Sequence, residues 1–306
     1  MKKKYITFTI LIALNGFYNT ISAQQTPVFA NYNYNALTIN PAHAGNYSDT
    51  DVTVISRGYF NQFEGSPRNI GLTFSTPLNS GKVGIGMGVI SDQVGVTNST
   101  AIFGSYSYKL FFRSQSGNMP WWEHQPHMFS FGIMGGITQY KEDLLKLKIQ
   151  GDPNFENNIN ALVPTFGVGF LYNHRDFYLG FSAPNLLGSS LSSEKNINLK
   201  SNYYVNCGYR FFTSLFQEIL ITPSTLVKYI SGAPVQIDVN LTANYKNKLE
   251  IGGGYRTDSS MSFLVGFYFS KNFRLVYNYN QAFMSNPINN THGIILSCRL
   301  GEGYIN

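Results

Sequence analysis

The chain has 306 residues, of which 12% are charged, 15% are aromatic and 29 are glycine, and its formal net charge is +6. A soluble intracellular α/β enzyme of this length would carry about a quarter charged residues. Beyond residue 23 no stretch stays apolar for the ~20 residues a membrane-spanning helix needs, which leaves a membrane β-barrel or an exported, aromatic-rich β domain.

The first elements set the compartment. Lys2, Lys3 and Lys4 form a positive n-region, Tyr5 to Phe17 an apolar stretch, and Ile21-Ser22-Ala23 a cleavage site before Gln24. We read residues 1–23 as a secretory signal peptide, too short in its apolar run for an anchor helix. Its removal takes three lysines and leaves a charge nearer +3. A nucleic-acid footprint would need basic residues clustered on one face, so no nucleic-acid partner is expected.

Residues 24–50 differ in character. From Gln25 to Gly45 the chain is rich in Asn, Pro and aromatics, which predicts an ordered, turn-forming N-terminal arm rather than a membrane strand.

Residues 51–306 alternate with a period of two. The clearest run is Val235 to Lys246, with Val, Ile, Val, Leu, Ala and Tyr on one face and Gln, Asp, Asn, Thr, Asn and Lys on the other. A tilted barrel strand accommodates such a pattern, with lipid outside and water or polar plug inside. The same reading predicts strands near 51–58, 67–76, 82–91, 98–112, 127–140, 162–173, 176–183, 201–213, 218–231, 234–246, 248–257, 260–270, 272–282 and 290–300. The expected fold is all-β: a single transmembrane antiparallel barrel of about 14 strands, an even number as in other single-chain barrels. In the third strand Gly84, Gly86 and Gly88 share the inner face, which leaves room for other backbone. The arm therefore has a place to lie in or under the lumen.

With both termini periplasmic, the outward connections 59–66, 141–161, 184–200 and 283–289 are the longer set, and the turns at His174-Arg175, Asn247 and Lys271 are tight. Trp121 and Trp122 lie in the exceptional inward loop 113–126 and read as interfacial aromatics. Cys207 and Cys298 fall on the apolar face of strands eight and fourteen, nearly opposite in the ring. A disulfide needs Cα atoms within about 7 Å, so both are expected as free thiols facing lipid.

Chemistry is not evident. There is no Gly-x-Ser-x-Gly elbow, phosphate loop or Cys-x-x-Cys pair. His124 and His127 lack a third ligand nearby, and Asp152 to Glu156 lacks the glycine of a calcium loop. His292 has no serine to activate. We expect no catalytic residues, no metal and no cofactor.

The arm resembles the start of the PorP/SprF family, outer-membrane proteins of the type IX secretion system. The matching residues are Gln25-x-Pro27-x-Phe29, Tyr32, Asn35-x-Leu37 and Asn40-Pro41-Ala42-x-Ala44-Gly45. Arg57, Phe63, Gly65, Pro67, the run Lys82 to Gly86, Asp92, Gly95, Asp152-Pro153-x-Phe155, Pro164-x-Phe166-Gly167 and Tyr178 to Leu187 continue the resemblance in order. The ending Leu300 to Asn306 departs from the terminal aromatic common in barrels. The resemblance implies a non-enzymatic outer-membrane component that binds and retains secreted proteins, such as a surface adhesin, through their C-terminal sorting domain. Some members also connect to periplasmic, peptidoglycan-associated lipoproteins. Outer-membrane lipid is the remaining partner. The alternative is a channel for hydrophobic or small polar solutes. Candidate partner-binding residues are Asn40, Pro41, Gly45, Pro184 and Asn185, for which turn geometry is the competing role.

Overall fold

The computed structural model describes residues 32–58, 65–112, 127–149, 151–152, 155–186, 200–213, 218–257, 260–283 and 290–304. Its strands are β1 (Thr50–Gly58), β2 (Arg68–Leu78), β3 (Val83–Val94), β4 (Thr97–Phe111), β5 (Met128–Glu142), β6 (Ile159–Asn173), β7 (Phe177–Asn185), β8 (Asn202–Tyr209), β9 (Phe211–Phe212), β10 (Ile219–Ile230), β11 (Gln236–Tyr245), β12 (Leu249–Arg256), β13 (Ser260–Tyr268), β14 (Phe273–Ala282) and β15 (Asn290–Leu300). Each pairs antiparallel with its neighbours, β1 pairs with β15, and β10 pairs with β11, so the sheet closes on itself. β8 and the two-residue β9 share one register on β10 and act as one strand, which makes a 14-strand ring. This is the barrel expected from the alternation, and each predicted strand end lies within three residues of the observed one.

Alternation explains the faces. On β11, Val239 and Leu241 are 49% and 54% exposed, whereas Asp238 and Asn240, which alternate with them, are 3% and 7% exposed. Ile251, Phe263, Phe267 and Ile294 continue the outer apolar surface around the ring. Closure removes the free sheet edges, so the ladders pair strand to strand around the whole ring, as a span through hydrocarbon requires.

Where prediction and structure differ, local pairing decides. β6 begins at Ile159 because Glu142 and Ile159 still pair, beyond the point where alternation stops being legible. The interruption between β8 and β9 has two causes. In a continued ladder Tyr209 would face Pro223 of β10, which has no N–H to give. The Arg210 side chain turns inward, donating to the carbonyl of His174 (3.0 Å) and to Asn173 Oδ1 (3.0 Å). Between β11 and β12 the turn is set by Lys246 and Asn247, with φ of 49° and 48°. Two consecutive positive φ values define the type I′ turn whose twist suits a tight hairpin.

The wall is uneven in height. β4, β5 and β6 have 15 residues each, against 8 in β8 and in β12. A tilted strand needs about 9–11 residues to cross a bilayer, so the β5–β6 hairpin projects beyond it. That projection lies at the end opposite the start of β1 and the end of β15.

Cys207 is exposed and Cys298 half-buried, both free, six ladder strands apart. Both lie on the outer face.

Candidate functional site

Inside the ring sit residues 32–49, wound into three 3-10 turns at Tyr32–Tyr34, Ala36–Thr38 and Pro41–His43. Short turns of this kind close hydrogen bonds within three residues, so a narrow lumen can hold backbone without orphaning its amides. Apolar arm residues fill separate parts of the wall. Tyr34 packs with Ile55, Leu264, Val276 and Ile295. Tyr32 and Ile39 pack with Tyr204 and Leu226, Leu37 and Ala44 with Phe103 and Met134, and Ala42 with Met128, Leu171 and Tyr178.

Polar wall residues then meet the arm's carbonyls. Ser107 Oγ (2.7 Å) and Lys109 Nζ (2.9 Å) donate to the Ala44 carbonyl, Ser130 Oγ to that of Ala42 (2.8 Å), and Ser182 Oγ to that of Ile39 (2.6 Å). On the far wall Tyr34 OH donates to Glu250 (2.7 Å) and Asn33 Nδ2 to Ser224 (2.8 Å). Glycines make the close approach sterically feasible. A Cβ at Gly84 would strike the Ala44 carbonyl, and one at Gly132 the backbone of Pro41 and Ala42.

Of the predicted site residues, three belong to this arm. Asn40 is fully buried; its Oδ1 accepts from Ala42 N (2.9 Å) and caps the third turn, while Nδ2 donates to the Phe170 carbonyl (3.0 Å). Pro41 opens that turn, where its missing N–H costs nothing. Gly45 has φ of +56° and lies against Gly84, Thr76 and Pro77, with its N–H on Ser75 Oγ (2.7 Å). Pro184 and Asn185 stand apart, at the loop end of β7, where the register shifts between Ser182 and Asn185. Pro184 covers Gly167, and Asn185 pairs with Asn202. The five residues thus fall into two groups, one in the plug and one at the rim.

Below the arm, at the end where β1 begins and β15 ends, lies a cavity of about 180 Å³. Arg210, Arg274 and Arg299 line it, with Tyr178, Tyr268 and Tyr304 among their neighbours. Arg274 lies 4.7 Å from the Tyr34 ring centre and 5.0 Å from that of Tyr304. Arg299 stacks 3.7 Å above Tyr47 and donates to Asp51 (3.4 Å). Tyr304 is fixed by its N–H on the Lys271 carbonyl (2.6 Å), and its own carbonyl accepts from Asn247. His43, on the arm, has its imidazole held down to about 4 by burial, then by the positive charges of Arg210 and Lys109. The sequence reading missed this cluster. Arg274 was legible as an inward residue of its strand, but nothing in the linear order brings it to Arg210 and the tail.

At the other end the β5–β6 hairpin carries a 3-10 turn, Leu144–Leu147, with Leu145, Leu147 and Ile149 exposed and alternating with Lys146 and Lys148. His292 Nδ1 lies 2.6 Å from Tyr277 OH on the outer face. Among the described residues no group of three His, Cys, Asp or Glu could hold a metal. Trp121, Trp122, His124, Pro153, Asn154 and the signal segment 1–23 lie outside the described residues.

A protein-family model, type IX secretion system membrane protein PorP/SprF, matches residues 21–297. The chain belongs to this family. Among curated proteins none matches it. Among solved structures, the CymD monoaromatic hydrocarbon channel aligns with a TM-score of 0.50 at 10% identity, over 91% of this chain and 94% of that one. The Pseudomonas putida toluene transporter TodX aligns at 0.47 and 9%, over 89% and 94%. The Acinetobacter baumannii outer membrane protein Omp33 aligns at 0.43 and 9%, over 84% and 100%. At 10% identity the CymD likeness is one of fold. This PorP/SprF protein is an outer-membrane β-barrel of type IX secretion.

Proposed function

We propose that this PorP/SprF protein is a non-enzymatic scaffold that holds secreted cargo at the outer membrane through the cargo's C-terminal sorting domain. The observation that carries the reading is the filled lumen. An arm bonded to β4, β5, β7, β10 and β12 leaves the barrel's outer rim, rather than its bore, as the working surface. The rim offers a projecting hairpin whose exposed Leu145, Leu147 and Ile149 alternate with lysines, a composition suited to a protein partner with an apolar patch. Pro184 and Asn185 lie at the foot of another rim loop and are proposed to fix its departure from the wall. A periplasmic lipoprotein is a second proposed partner.

The competing function is passage of hydrophobic or small polar solutes, as in the CymD monoaromatic hydrocarbon channel that this barrel resembles in fold. Two measurements separate them. Replacing 141–161 or 184–200 with short Gly-Ser connections should abolish co-purification of a large secreted protein from solubilised native membranes. The scaffold reading fails if the cargo stays bound in both grafts, or if the intact barrel conducts ions in planar bilayers and brings down no secreted protein.

A further inference from the structure

The cavity at the terminal end is not used by rim docking. Its lining holds three guanidiniums, from Arg210, Arg274 and Arg299, and Glu250 as the only carboxylate among the described residues. Both Glu250 oxygens are already engaged, by Tyr34 OH (2.7 Å) and Tyr268 OH (3.1 Å). Arg299 is paired with Asp51 (3.4 Å) and Glu250 offsets a second guanidinium, so positive charge in the wall exceeds negative by at most one guanidinium.

Three lining side chains are more than nine-tenths buried and still hold a polar atom without a hydrogen-bond partner. They are Arg274 Nε, Tyr304 OH and Asn46 Oδ1, with residue exposures of 9%, 4% and 6%. His43 Nε2 is a fourth such atom in the same wall. Orphaned buried polar groups are costly, and four around one cavity mark a place built to receive polar atoms.

We propose that this chamber binds a peptide carboxylate presented from the side of the barrel where β1 begins and β15 ends. A guanidinium matches a carboxylate in a two-pronged, charge-assisted geometry. Asn46 Oδ1 in the wall is an acceptor without a partner, which suits the N–H of the peptide group next to that carboxylate. The tyrosine rings flank the charge without competing for it. A volume of about 180 Å³ equals about six waters, enough for an acidic side chain and the peptide group beside it. This end faces away from the rim hairpin, so the site would serve a second partner, independent of cargo.

The test is calorimetric titration of the full barrel in detergent with N-acetyl-Ala-Ala-Asp, with the same peptide amidated at both carboxyls, and with inorganic phosphate. The acidic peptide should bind with a Kd of about 1 mM or tighter, and the amidated one at least about tenfold more weakly. Arg274→Gln should weaken the acidic peptide at least about tenfold, the scale of one charge-assisted hydrogen bond. Asn46→Ala, which removes no charge, should weaken it severalfold and supplies the same answer if the Arg274 variant does not fold. Equal affinity for the amidated peptide, equal or tighter binding of phosphate, no binding at all, or unchanged affinity in the folded variants would overturn the proposal.

Discussion

On a single strand the two faces of this barrel follow different rules. Outward from β11, Val239 and Leu241 meet only hydrocarbon, where the requirement is to be apolar. Inward from β4 and β5, Ser107, Lys109 and Ser130 each meet a particular carbonyl of the arm, and Gly132 leaves space for a particular stretch of backbone. Lipid is a uniform solvent and averages over side chains. A folded arm is a single partner, so its contacts are specific in shape and in hydrogen bonding.

The sharpest way to break that contrast is Gly132→Leu. Its side chain would enter backbone at Pro41 and Ala42, which cannot yield as a flexible side chain would. We expect a loss at or beyond the top of the ~1–3 kcal/mol range for overpacking, read as arm residues becoming open to protease in the detergent-solubilised barrel. Retention of a protected arm would mean the plug is not held where we place it.

Asn40→Ala comes next. It removes the cap on Ala42 N and the donor to the Phe170 carbonyl, and a cap plus a buried bond amounts to about 2 kcal/mol. The urea midpoint should fall while m stays constant. A midpoint equal to the parent's would remove Asn40 from the list of arm anchors.

Acid offers a graded version. His43 is held at about 4 in the folded chain against 6.5 as its ordinary value. Below pH 6.5 the unfolded chain takes up the proton that the folded one refuses, so stability present above 6.5 declines until the pH reaches about 4. Arm protection measured across that window should decrease with pH, and His43→Gln should flatten the dependence. A parallel decline in the variant would assign the effect to other groups.

The smallest effect should come from the outer face. Leu241→Ile keeps an apolar side chain in contact with lipid and should shift stability by no more than about 0.5 kcal/mol. A larger shift would indicate a protein partner on that face.

Much of the wall was legible in the linear order because its cause is local. Period-two alternation in Val235 to Lys246 follows from the pleat and the two solvents on either side of it. Its inner and outer assignments hold in the structure, as do the free cysteines. The gap at Arg210 was not legible, because it depends on Pro223 across the ladder and on turn carbonyls of the neighbouring hairpin. For the candidate site, Asn40, Pro41 and Gly45 could be picked out as turn-formers, since proline and asparagine set backbone angles near themselves.

Sequence by itself indicated a barrel of about 14 strands, the lipid-facing side of the strands with clear alternation, and a resemblance to the family, since each rests on residues close together in the chain or on ordered motifs. Tertiary structure alone decided which wall residues hold the arm, and that Arg210, Arg274, Arg299 and Tyr304 share one cavity. Those groups come from β14, β15, the β8–β9 break and the tail, and only closure of the ring brings them together.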